Sequence, residues 1–380
     1  MPRDTMTVME RLEATVALKP VDRTAVGFPL SWFAGRYAGL TMAKFCTDLD
    51  ANVAAVRKTF EDLGGIDMLS LFLSPIGAGL AMPIKQKIPG RDLPPDSIIQ
   101  YHEQEIMPPD EYDIVIKKGW NYYNKEYILP RIQPEFCGPE GEAAFKKLQE
   151  ANARAGEKSR AYYKDKALIF TDSYMLMPPF ESLSMARSFG PFLLDLIRRP
   201  EKVLAAMDVM LAESLEQAKT MMKTTPRMFG NTAISRSAAT FISPAYFKKF
   251  VFPYLQKIID LYVEKNLTMI FHLDQNWLPF LPLIMTLPEG RYIIQLDGLT
   301  DIFEAKKIVG SRMAIMGDVP ARLLKLGTPK DVEKYCKQLI DVIGEGGGFI
   351  LSCGCDLPVD AKFENVKAMV DTARNYVPKR

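Results

Sequence analysis

Histidine is scarce in this chain. Two occur in 380 residues, His102 and His272, so imidazole chemistry has only two possible homes. Long hydrophobic runs are missing as well. No stretch reaches the 18 or more apolar residues of a membrane span, which argues against a membrane protein. The opening MPRDTMTVMERLEATVALKP is too charged and interrupted for a secretion signal. Excess charge of either sign is absent: 48 Lys and Arg face 46 Asp and Glu, a net charge of +2. That lacks the basic face expected of a nucleic-acid binder. Five cysteines, an odd number scattered along the chain, make no disulfide framework, and a reducing cytoplasm is the expected compartment. No glycine-rich phosphate loop follows the first apolar run, which counts against a doubly wound nucleotide-binding sheet.

What remains is a regular rhythm. With 48% hydrophobic and 25% charged residues, the composition is that of a globular protein with a large core. Apolar runs begin at Ala25, Asp67, Ala167, Arg227, Thr268, Tyr292, Arg312 and Gly348. Each leads into a stretch of helical periodicity. Eight such units predict an α/β fold, a (β/α)8 TIM barrel occupying residues 1–380 as a single domain. Met6–Leu18 reads as a helix before the first strand. Residues 75–165, rich in proline at first and then in helix-forming residues, read as an insertion of loops and helices after the second strand.

In such barrels, chemistry sits just past the C-terminal ends of the strands. The strand ends here are Trp32, Ser74, Ser173, Asn231, His272, Asp274, Asp297, Asp318 and Cys355. In TMIFHLD, His272 and Asp274 are two residues apart in an extended segment, so their side chains face the same way. Alone, an H-x-D pair also suits a buried histidine bonded to its neighbour. GGFILSCGC adds Cys353 and Cys355 at the end of the eighth strand. Imidazole, thiolate and carboxylate are all zinc ligands, and three of them leave a fourth position open for a reactant. Cys355 lies further out past the strand and is the better ligand, whereas Cys353 suits packing. Cys46, Cys137 and Cys336 fall on helices or loops and read as inert.

Asp297 and Asp318 end YIIQLD and MAIMGD, where a carboxylate could orient substrate or a ligand histidine; capping of the following loop is the alternative. Asn231, in FGNTAI, could donate to a substrate oxygen. Glu181, Glu103, Glu105 and His102 read as solvated side chains. Trp32, Met175, Met177, Phe180 and Trp277 are candidates for an apolar pocket at the barrel mouth, against the usual role of such residues as core filling.

The order of motifs resembles the uroporphyrinogen decarboxylase superfamily, and within it the zinc-dependent, corrinoid-linked methyltransferases. The resemblance covers nearly the whole chain through DRTAVGFPL, DLGGIDML, FISPAYFKKFVFPYLQKI, the His272 strand, IQLDGLTDIFEAKKIVGSRMAIMGDVP, LGTPKDVEKY and CGCDLPVDAKFENVKAMV. It implies a (β/α)8 barrel. In the methyltransferase branch the zinc ligands are an H-x-C pair and a later cysteine in a G-C-x-x-P setting. His272 matches the first and Cys355, in GCDLP, the last. Asp274 stands where that pattern has cysteine, which leaves the third ligand open between Asp274 and Cys353. The decarboxylases carry an R-Q-A-G-R stretch that grips porphyrinogen carboxylates; here SWFAGRYAG retains Arg36 alone.

The resemblance implies transfer of a methyl group to or from a cobalt corrinoid on a partner protein, with Zn2+ as the second cofactor. Replacing a thiolate by a carboxylate hardens the site toward oxygen. The expected donor is therefore a methyl ether, such as a methoxylated aromatic. Transfer from a methylcobamide to a thiol, decarboxylation, and a non-catalytic ligand-binding barrel are the alternatives. Related barrels often pair, which keeps a homodimer in view.

Overall fold

The computed structural model describes residues 4–71, 73, 82–225 and 227–378; Ser74 lies outside them. The main sheet comprises β1 (Ala25–Pro29), β2 (Met68–Ser70), β5 (Leu168–Ile169), β6 (Tyr174–Met175), β7 (Phe229–Ile234), β8 (Thr268–Leu273), β9 (Arg291–Leu296), β10 (Ala314–Val319) and β11 (Phe349–Cys353). All pairings within it are parallel, in the order β5-β2-β1-β11-β10-β9-β8-β7-β6. The two edge strands, β5 and β6, are consecutive in the chain. One strand bends between them, so that its first half pairs with β2 and its second half with β7. Counted that way, eight strands curl the sheet back on itself, as the eight apolar runs predicted. A two-stranded antiparallel hairpin, β3 (Lys85–Lys87) with β4 (Gln100–His102), stands apart in the insertion.

Parallel strands covered on both faces read as unbroken apolar runs, and their two faces separate cleanly here. Along β8, Ile270 belongs to the cluster inside the barrel, while Met269, Phe271 and Leu273 pack outward against the helices. The same alternation sends Ile293 inward from β9, Ala314 and Met316 from β10 and Ile350 from β11. By period two, His272, Gln295, Asp318 and Ser352 share that inward face. Cys353 takes the outward one, buried among the helix-facing residues.

Helix α1 (Val8–Val16) closes the N-terminal end of the barrel. A capping box between Thr7 and Glu10 starts it, and Leu12 and Val16 enter the interior cluster beside Ala25, Met68 and Ile293. Arg11, Arg23 and Asp67 bolt it down: the Asp67 carboxylate accepts from Arg11 at 2.8 Å and from Arg23 at 2.7 Å.

One boundary differs from expectation. The first strand stops at Pro29, and Trp32 sits in a helix, Ser31–Tyr37. Residues 244–264 form two helices, Pro244–Phe250 and Phe252–Glu264, parted at Val251 just before Pro253, whose ring and missing N–H interrupt the ladder. Within the insertion, Gly119, at φ 92°, parts the helices Tyr112–Lys118 and Trp120–Tyr123. Two helices, Pro179–Ala186 and Phe189–Arg198, follow the third strand.

Candidate metal centre

Where β8 ends, the His272 ring lies between two other donors. Its Nε2 is 3.2 Å from Asp274 Oδ1 and 3.3 Å from Cys355 Sγ. One ligand atom from each of the three residues lies within 4.8 Å of the others. Bond lengths of about 2.0–2.3 Å at tetrahedral angles place donor atoms roughly 3.3–3.6 Å apart. The 3.2 and 3.3 Å separations are close to that spacing. His272 and Asp274 side chains are 21% and 29% exposed, so a reactant can reach them. Cys353, facing the helix layer, does not take part.

The other imidazole nitrogen is committed. Nδ1 lies 2.8 Å from Gln295 Oε1. An amide oxygen only accepts, so Nδ1 carries a proton, and in the neutral ring Nε2 presents its lone pair to the mouth. A ligand histidine needs such a partner, and Gln295 fills the role proposed for Asp297 or Asp318. Sequence reasoning passed over it, although a glutamine inside YIIQL is a polar break in an otherwise apolar run.

Burial disfavours a charged His272 ring, but Asp274 and then Cys355 outweigh it and raise its pKa well above the usual value. Burial would raise Asp274, yet the hydrogen bond with His272 brings it below the ordinary carboxylate range. The Cys355 thiol is pushed up by burial, with His272 pulling the other way. The field that attracts a proton here would equally attract a dication in its place.

The loops hold this arrangement from behind. Asp297 spends both oxygens on backbone, accepting from Gln275 N and from Leu299 N at 2.8 Å each. It thereby fixes the turn that carries Asp274. Trp277 Nε1 donates to the Asp274 carbonyl at 2.6 Å, and Thr300 ties down Gln275 O and Trp277 N. A Cβ on Gly354 would stand 2.4 Å from Asp297 O, so only glycine lets the Cys353–Cys355 turn approach the end of β9. Asp318 is buried; its pKa is raised to about 6 by burial, and Tyr335 donates to it at 2.9 Å. Beside Cys355, Asp356 accepts from Ser31 Oγ at 3.3 Å.

Other expected residues fall in different places. Phe180 and Trp277 are fully buried. Phe180 packs edge-on to Phe192, and Trp277 against Phe247 and Phe280. Both are helix-layer core rather than pocket wall, because their apolar bulk is better satisfied there than at a wet mouth. Trp32 packs on Phe45 and Met177 is half-buried, whereas Met175 is exposed. Asn231 and Ser173 are buried. Glu181 is not solvated: it is buried and accepts from Arg236 N, Ser237 N and Ser237 Oγ. Glu103 pairs with Arg236 and Glu105 with Arg187. His102 is exposed on β4. All five cysteines are unpaired.

A family profile described as uroporphyrinogen decarboxylase (URO-D) matches residues 175–376, just over half of the chain. The chain belongs to this family. Within the URO-D family it is similar to the methylcobamide:CoM methyltransferase MtbA of Methanosarcina mazei. The two are 29% identical over 135 residues, which is 36% of this chain and 38% of MtbA. It is likewise similar to the uroporphyrinogen decarboxylase of Coxiella burnetii, 27% identical over 141 residues, 36% of this chain and 37% of that one. The chain thus spans less than two fifths of the length of each of these curated relatives. A solved structure described as a methyltransferase from Methanosarcina mazei superposes with a TM-score of 0.69 at 17% identity, covering 97% of this chain and 98% of that one. That likeness gives the fold. No helix among the described residues is long and apolar enough to cross a membrane.

Proposed function

We propose that this URO-D family member is a methyltransferase. It moves a methyl group between an oxygen-bound donor, a methyl ether such as a methoxylated aromatic, and a corrinoid carried on a partner protein. A zinc ion would be held by His272, Asp274 and Cys355. The observation that supports this reading is the convergence of those three donor atoms, with the imidazole held by Gln295 so that Nε2 is free to ligate. The donor set fits the metal: neutral imidazole, thiolate and carboxylate in a tetrahedral-like spread, with one side open.

A zinc ion bound there would act as a Lewis acid on an oxygen of the donor. Everything else falls to the chain's own residues. Asp274 replaces a second thiolate, which favours oxygen over sulfur at the open position. Asp297 and Trp277 hold the Asp274 turn rigid. Asp318, titrating near neutrality, is suited to hold a proton at its carboxyl while the ether oxygen departs. Asn231 faces the interior as a polar contact for the donor. Met175, exposed and in register with Asn231, would offer an apolar contact for its ring. The free thiols suit a reducing cytoplasm.

Methylcobamide-to-thiol transfer is the second reading, and the likeness to the methylcobamide:CoM methyltransferase MtbA favours it. Decarboxylation finds little support. Arg36 is half-exposed and lies 3.8 Å from Asp96 on the surface, and SWFAGRYAG holds no second arginine to help grip a carboxylate. The test is zinc analysis of the purified protein and of Asp274→Ala, with methyl transfer from 2-methoxyphenol to cob(I)alamin measured alongside. Metal in wild type, its loss in the variant and methylcobalamin formation are expected; wild type without zinc would sink the reading.

A further inference from the structure

The N-terminal end of the barrel is not completely filled. Helix α1 lies across it, yet a cavity of about 250 Å³ remains between that helix and the starts of β7, β8 and β9. Its floor is apolar: Leu12 and Val16 of α1 meet Met68, Phe229 and Ile293, all buried in the inner cluster of the barrel. Thr268, inward by the same parity as Ile270, is the polar exception. The rim is basic. Phe229, Thr268 and Arg291 stand in register across three adjacent strands. Arg227, Lys265 and Arg291 enter the lining from the lower ends of those strands.

The cations at this opening are not equally matched. Arg227 pairs with Asp172, and Lys265 pairs with Glu264 at 2.7 Å. Arg291 has no carboxylate within ion-pair distance among the described residues. It donates from Nη2, to Asn266 O at 2.6 Å and more weakly to Asn266 Oδ1, which leaves Nε and Nη1 for another acceptor. Arg227 Nε is buried and also lacks a partner among the described residues, an unfavourable state for a donor on a charged group. Unmet guanidinium donors select an anionic oxygen, and their planar fork matches a carboxylate. One unmatched positive charge calls for one negative charge; Glu13, exposed on α1 at the same opening, opposes a second. An apolar cavity of about 150 Å³ holds a benzene ring, so one of about 250 Å³ suits a body of about six to eight carbons. We propose that this cavity is a ligand site, separate from the metal centre, for a monocarboxylate with a short apolar body. The carboxylate sits at the rim on Arg291 with Arg227 beside it, and the apolar body lies against Leu12, Phe229 and Ile293. The metal centre takes no part, because it lies past the opposite, C-terminal ends of the same strands.

The probe is octanoate below its micellar concentration. Two controls divide its chemistry: 1-octanol has the body without the charge, and acetate the charge without the body. Calorimetry of the full chain gives each affinity, with zinc added and with chelator. Octanoate should bind at least about tenfold more tightly than either control, and equally with zinc and with chelator. Arg291→Ala should weaken it about tenfold, and Arg291→Lys, which keeps the charge, should recover part of that loss. Arg291 is exposed, so both variants should fold as wild type does. Met9→Trp, at a half-buried edge of the cavity, should fill it and abolish binding, with thermal unfolding showing that the variant is folded. No binding of octanoate, equal affinity for 1-octanol, binding undiminished in Arg291→Ala or in folded Met9→Trp, or binding lost with chelator would each overturn the proposal. Because the site uses neither metal nor corrinoid, failure of the methyltransferase reading would leave every one of these outcomes unchanged.

Discussion

The imidazole of His272 and the amide of Gln295 are cross-strand neighbours: the two residues pair in register between β8 and β9, and their side chains meet at 2.8 Å. One hydrogen bond thus decides which ring nitrogen is available at the mouth. Gln295→Leu should lower zinc affinity about 10–100-fold, the usual effect of losing a partner behind a ligand histidine. Gln295→Glu keeps an acceptor facing Nδ1 and should restore much of it. Chelator competition measures both, and equal affinity in Gln295→Leu would refute the role.

Asp274 is where this chain departs from an H-x-C pattern. Asp274→Cys should retain zinc, since a thiolate binds it at least as well. It should shift transfer away from ether donors and toward thiols, as the softer site predicts. Product analysis with both substrates in one reaction checks this; an unchanged ratio would mean that the third ligand does not set donor class.

The raised His272 pKa has a definite sign in the metal-free protein. A ring that binds its proton more tightly folded than unfolded stabilises fully below its ordinary value of 6.5, and that contribution is lost as pH rises through the elevated folded value. Asp274, lowered, behaves in reverse and loses its contribution as pH falls through its folded value. Zinc must displace the His272 proton and the Cys355 thiol proton. The zinc-induced rise in unfolding temperature should therefore grow from acid to alkaline pH. Parallel melts with zinc and with chelator across pH 5–9 (a window of about two units on either side of neutrality) give the answer, and a pH-independent increment would contradict it.

Asp318 carries a different kind of signal. Its pKa is raised from 3.8 to about 6, first by burial, so the folded state binds this proton more tightly than the unfolded one. Stability then falls as pH rises from about 4 to about 6 and stays lower above that. At 1.36 kcal/mol per unit the cost is roughly 2–3 kcal/mol. Asp318→Asn should be more stable than wild type by about that amount at pH 8 and equal to it near pH 4, as urea titrations would show. Slower methyl transfer by the same variant would support a proton-holding role.

Much of this was legible in the chain. Parallel strands buried on both faces leave continuous apolar runs, so eight of them could be counted, and H-x-D on an extended segment placed His272 and Asp274 together. That Cys355 would meet them across 83 residues depends on barrel closure, which periodicity alone does not give. The third strand read as one because the bend between Ile169 and Tyr174 changes its pairing partner, not its hydrophobicity. Gln295 is less legible because an amide within an apolar run signals ligand support less plainly than a carboxylate at a strand end, although its parity places it inward with Asp297. Trp277 and Phe180 misled because aromatic residues near a site read equally as wall or as support. Their complete burial makes them support.

The far end of the barrel offers a control that separates folding from chemistry. Asp67 accepts from Arg11 and from Arg23 through both of its oxygens, and from Val26 N at 2.9 Å. The Arg11 and Asp67 side chains are each 1% exposed and that of Arg23 is 7%. Asp67→Ala would leave two guanidinium groups buried with fewer counter-charges, which costs about 3–5 kcal/mol. The urea midpoint should fall accordingly, with the slope of the transition unchanged. Because Asp67 precedes β2, at the end opposite the His272 centre, zinc affinity of the folded variant should equal that of wild type. A loss of zinc binding at temperatures where the variant is folded would mean that the two ends of the barrel are coupled through the strands that join them.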